Sequence, residues 1–108
     1  MEQLLEKNKD FLIGLCQKHH VDSFYAIGSV LTEQFNRESD IDFLVRFGNV
    51  DLLEYGDNYF ELQAKLEQLF NRRVDLVIEK DLQNEVLIKE LNRTKKKIYE
   101  SPNPKVVN

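Results

Sequence analysis

At 108 residues the chain has the length of one domain, enough for a real core and too short for separate catalytic and substrate domains. Hydrophobic residues make up 42% and charged residues 31%, a globular mixture, and no apolar run approaches the roughly 20 residues of a membrane span. A formal charge of -4 argues against nucleic-acid binding through a basic footprint, and the polar start MEQLLEKNKD is unlike a signal peptide, so the expected setting is cytoplasmic, with no membrane partner.

Leu4, Leu5, Phe11, Leu12, Leu15 and Cys16 recur at helical spacing, so residues 2–18 read as one amphipathic helix, weakened at Gly14 by about 1 kcal/mol relative to Ala. His19 and His20 close it and have no spaced partner that would make them metal ligands. Cys16 reads as a buried core thiol. The β-branched and aromatic run VDSFYAI then predicts a strand that enters a tight turn at Gly28. Ser29 opens a short helix over residues 30–35, whose free N–H groups would suit a phosphate, while glycine lets a ligand approach the backbone.

A polar turn over residues 36–39 leads into a second strand, where Ile41, Phe43 and Val45 alternate with Asp40, Asp42 and Leu44. Alternation puts Asp40 and Asp42 on one face, roughly 7 Å apart along the chain, a spacing at which two carboxylates can share a divalent metal. Asp42 lies between two large apolar residues, where an unpaired carboxylate would be costly to desolvate and a cation would remove that cost. Residues 48–51 read as a loop. In the segment 52–70, Phe60, Leu62, Ala64, Leu66, Leu69 and Phe70 mark a helix. A third strand over residues 73–79 alternates Val74, Leu76 and Ile78 with Arg73, Asp75 and Val77, and Asp75 repeats the embedded acid. A last helix over residues 84–99 carries Val86, Leu87, Leu91 and Ile98, with Lys95, Lys96 and Lys97 as its solvated C-terminal end. The domain is expected to span residues 1–100, followed by a flexible tail over 101–108, SPNPKVVN.

The fold class is therefore α/β (α+β), a small mixed sheet of three or more strands flanked by helices. Three acids on two strands beside a Gly-Ser turn make a coherent site for two-metal phosphoryl transfer, and oxygen-only ligands favour Mg²⁺ or Mn²⁺ over Zn²⁺.

Gly28-Ser29, ten intervening residues, Asp40-Ile41-Asp42 and then Asp75 on the third strand resemble the minimal nucleotidyltransferases (MNT) of the DNA polymerase β superfamily, in element order over nearly the whole chain. The resemblance implies that Gly28 and Ser29 contact the phosphates of ATP or another NTP. It implies that Asp40 and Asp42 bind two Mg²⁺ ions, and that Asp75 completes the metal site and assists the attacking hydroxyl. It further implies an antitoxin that transfers AMP to a tyrosine of a HEPN-type toxin, in a hetero-oligomer with that partner. Many members continue after Gly-Ser with a small residue, an Arg and a second Gly; here those positions hold Leu31, Thr32 and Glu33. The departure leaves open a module that neutralises its partner by binding alone; a small-molecule nucleotidyltransferase is a separate alternative.

Overall fold

The computed structural model describes residues 2–102. Four strands form one mixed sheet: β1 (Val21–Ile27), β2 (Ile41–Phe47), β3 (Val74–Ile78) and β4 (Lys96–Glu100), in the order β3-β2-β1-β4. β1 runs antiparallel to both of its neighbours, and β2 pairs with β3 in parallel. Helices α1 (Glu2–Lys7), α2 (Lys9–Lys18) and α3 (Tyr55–Phe70) supply apolar residues to a core shared with one face of the sheet. Phe24, Ala26, Phe43, Val45, Val74, Leu76 and Ile98 meet Leu12, Leu15, Leu62 and Leu66 there, with Phe24 stacked on Phe43 at 4.5 Å.

The opposite face carries the functional side chains. Register pairs Ile27 with Asp42 and Asp42 with Asp75, and in the next row Lys97, Tyr25, Leu44 and Val77. Directly opposed residues share a face. Ile27 and Leu44 are buried yet stand apart from the main core cluster, as their place on this second face requires.

Several expectations need correction. The first helix is two helices meeting at Asn8, because the Asn8 side-chain amide donates to the Leu4 carbonyl at 2.9 Å and so takes the acceptor that a continuous helix would give to its backbone N–H. Gly14 does not interrupt α2, whose inward face is Leu12, Leu15 and Cys16; Phe11 instead points outward. Cys16 is buried as expected, and burial pushes its thiol up to about 12. His19 is buried too, against the Leu15 carbonyl and Glu61.

The helix expected over residues 30–35 is a single 3₁₀ turn, Gly28–Leu31. Thr32 ends it by directing both its backbone N–H and its hydroxyl to the Ser29 carbonyl, each at 2.9 Å. The last helix stops early: α4 is Glu85–Thr94, and the chain then turns extended at Lys95 to form β4. Local periodicity favoured helix, but β1 would otherwise expose an unpaired edge, and a strand brings Ile98 into the core. The lysine run is therefore in and beside a strand rather than at a helix end. α4, capped by the Asn84 carboxamide, contains no fully buried residue. Val86 and Leu87, expected to turn inward, are exposed. Of the expected tail, Ser101 and Pro102 lie outside any strand or helix, and residues 103–108 lie outside the described residues.

At the outer edge of the sheet, α3 closes β3 with side chains. Tyr59 donates to the Leu76 carbonyl at 2.9 Å and Gln63 to the Val74 carbonyl at 3.0 Å, while Glu67 accepts from the Val74 N–H at 3.1 Å. These three residues recur at a spacing of four, so one helical stripe bonds the Val74 N–H and the Val74 and Leu76 carbonyls along the outer edge of the strand.

Candidate active site

Strand directions bring the predicted site residues to one end of the sheet. β1 ends at Ile27 and delivers Gly28 and Ser29; β2 and β3 start there and deliver Asp42 and Asp75. Asp40 lies just ahead of β2, half-buried like Asp42, whereas Asp75 is exposed rather than embedded. The start of β2 is tied to β3 by the Ile41 N–H donating to the Arg73 carbonyl at 3.1 Å.

Gly28 and Asp42 are in direct contact. Gly28 adopts φ +76°, and a Cβ added there would stand 2.8 Å from Asp42 Oδ2, so both backbone conformation and space call for glycine at this turn. The Asp42 carboxyl is held above the ordinary carboxylate range. Burial is the largest cause, followed by the charge of Asp75, a hydrogen bond with the Asp75 side chain and the charge of Asp40. Two carboxyls in hydrogen-bonding reach share a proton or need a cation, and the donor set is oxygen alone, which suits a hard divalent ion. Among the described residues no group of three or more His, Cys, Asp or Glu side chains is already assembled to hold a metal. Asp42 and Asp75 meet, while Asp40 acts on Asp42 by its charge.

Arg72, which no sequence pattern singles out, braces the turn ahead of Asp40. Its Nη1 donates to the carbonyls of Asn36 at 2.8 Å and Ser39 at 3.0 Å, and its guanidinium lies 4.5 Å from the centre of the Phe35 ring. It thereby clamps the 36–39 turn that feeds Asp40 into β2. Two residues expected at a solvated helix end lie here instead: the Lys95 ammonium is 4.2 Å from the centre of the Tyr25 ring, and Lys97 registers with Tyr25 on the acid-bearing face. The signal for them was present in Lys96-Lys97-Ile98-Tyr99, whose apolar end suits a strand.

Residues 10–103 match the family model described as polymerase beta, nucleotidyltransferase. A Methanocaldococcus jannaschii protein named "Putative protein adenylyltransferase MJ1379" is 31% identical over 84 residues, which are 78% of this chain and 80% of that protein. A solved structure described as a "putative minimal nucleotidyltransferase" shares 28% identity at a TM-score of 0.71 and covers 86% of this chain and 91% of its own. The complex of a tri-AMPylated Shewanella oneidensis HEPN toxin with its MNT antitoxin matches at 24% identity and a TM-score of 0.60, over 94% of this chain and 74% of the matched chain, a likeness of fold. With the family model running from the first turn of α2 past the end of β4, and Gly28-Ser29 set against paired acids on that sheet, the chain belongs to the polymerase β nucleotidyltransferase family, among its minimal members.

Proposed function

We propose that this protein transfers AMP from ATP to a hydroxyl of a protein partner, a HEPN-type toxin, with which it forms a hetero-oligomer. The observation that carries the reading is the contact of Asp42 with both Asp75 and Gly28, which puts a carboxylate pair directly beside a turn able to approach phosphate. The name of the M. jannaschii relative supports protein adenylylation, and the S. oneidensis complex supports a HEPN partner.

Asp40, Asp42 and Asp75 are the residues that would hold a divalent cation, and Mg²⁺ or Mn²⁺ bound there supplies charge neutralisation to the triphosphate. Gly28 and Ser29 orient the phosphates through the backbone of the turn. The acceptor oxygen bonds to the α-phosphorus, the bond from that phosphorus to the bridging oxygen breaks, and pyrophosphate leaves with the electron pair. The hydroxyl proton passes to a carboxylate oxygen of Asp75 and on to solvent.

Incubation with α-labelled ATP, Mg²⁺ and the HEPN-type partner tests this. Label on a partner tyrosine that depends on Asp40 and Asp42 is expected; its absence overturns the reading. A binding-only antitoxin is favoured by one observation, the return of Thr32 onto Ser29 at the position where the family resemblance implies an Arg. Under that reading calorimetry finds no Mg²⁺-ATP binding while the partner is still neutralised.

A further inference from the structure

The register that aligns the acids also brings cations to the same end and face of the sheet. Across the strands, the order is Asp75 on β3, Asp42 on β2, Gly28-Ser29 at the end of β1, and Lys95 at the start of β4. Lys97 opposes Tyr25, which opposes Leu44, one row from the Ile27–Asp42–Asp75 row, and the Lys95 ammonium rests on the Tyr25 ring at 4.2 Å. β4 lies two strand spacings from β2, about 10 Å, a distance that an extended polyphosphate and a lysine side chain together bridge. Lys96 points the other way: it pairs in register with Ala26 on the core face, and its ammonium is 3.7 Å from Glu6 on α1.

Two cations near the acids are otherwise engaged or turned out. Arg72 donates to two carbonyls, and Arg37 is exposed on the 36–39 turn. Thr32 brings no charge and is bonded back to Ser29. A leaving pyrophosphate develops negative charge, and preorganised cations at its position lower the barrier to its departure.

We propose that Lys95 and Lys97 form the cationic wall of the phosphate site and take the β- and γ-phosphates of the nucleoside triphosphate, a role assigned to β4 rather than to the turn after Gly-Ser. The wall rests on the transferase reading above. Lys95 is held by a cation–π contact that phosphate can replace, and Lys97 stands mostly in solvent beside Glu100.

The test is calorimetric titration of the full chain with Mg²⁺-ATP and with AMP. In the double variant Lys95→Gln, Lys97→Thr, one side chain keeps its length over Tyr25 and the other suits a strand, and circular dichroism confirms that the variant is folded. Mg²⁺-ATP affinity is expected to fall about 10-fold to 100-fold, as for loss of one or two charge-assisted contacts, with AMP affinity unchanged. Lys95→Arg with Lys97→Arg restores most of the loss, and Lys96→Ala on the opposite face leaves both affinities alone. If Mg²⁺-ATP binding depends on Asp42 yet survives the lysine substitutions, or falls with Arg37→Ala instead, the wall is wrong and the transferase reading stands. If the unaltered protein binds no Mg²⁺-ATP, both fall.

Discussion

Gly28 leaves free the space that Asp42 needs: the carboxylate oxygen Oδ2 lies 2.8 Å from where a β-carbon on residue 28 would be, at a backbone angle of φ +76°. The glycine turn and the carboxylate pair are therefore one mechanical unit. Gly28→Ala is expected to cost about 1–2 kcal/mol for the left-handed backbone, with an added cost for displacing Asp42. Urea denaturation reads the stability loss. Mg²⁺-ATP affinity should fall with it, because the acid is moved along with the turn.

Asp42→Asn should abolish transfer and yet stabilise the metal-free protein. The folded-state carboxyl lies above its ordinary value, so the folded protein holds this proton more tightly than the unfolded chain. That contribution is complete below the unfolded value of about 3.9 and is lost as pH rises through the higher folded value. The urea midpoint of the metal-free protein should thus decline over that interval, and Asn should flatten the decline. A variant with unchanged pH dependence, or with wild-type turnover, would show that Asp42 is not the strained carboxylate of the site.

Arg72 offers a separation of positioning from chemistry. Arg72→Lys keeps the charge but cannot span both carbonyls and the Phe35 face, so Asp40 should lose its fixed approach. The expected signature is a raised Mg²⁺ requirement with ATP affinity at saturating Mg²⁺ little changed. A loss confined to thermal stability would reduce Arg72 to a structural clamp.

Ile98→Ala tests β4 itself. As a buried core residue on a strand it should cost about 2–4 kcal/mol, whereas the exposed Val86→Ala on α4 should cost little. Equal effects would contradict the assignment of residues 96–100 to the sheet.

The acids and the glycine turn were legible because each strand alternates cleanly: Ile41, Phe43 and Val45 face the core and leave Asp42 on the other side, and Val74 and Leu76 do the same for Asp75. Their distances were not legible, since register between β2 and β3 depends on a long connection through α3. What failed had non-local causes. The pattern of residues 84–99 supports a helix until the open edge of β1 is known, and only then do Lys95 and Lys97 acquire a face. Asn8 and Thr32 broke or shortened helices through single side-chain hydrogen bonds that periodicity cannot register.

The stripe of Tyr59, Gln63 and Glu67 serves as a substitute neighbour strand built from side chains. It occupies part of the outer edge of the sheet: beside Asp75, the Val74 N–H and the carbonyls of Val74 and Leu76 are already bonded and are closed to a visiting strand. A strand adding at this edge would first have to displace those side chains, so the edge nearest the acids is a guarded one.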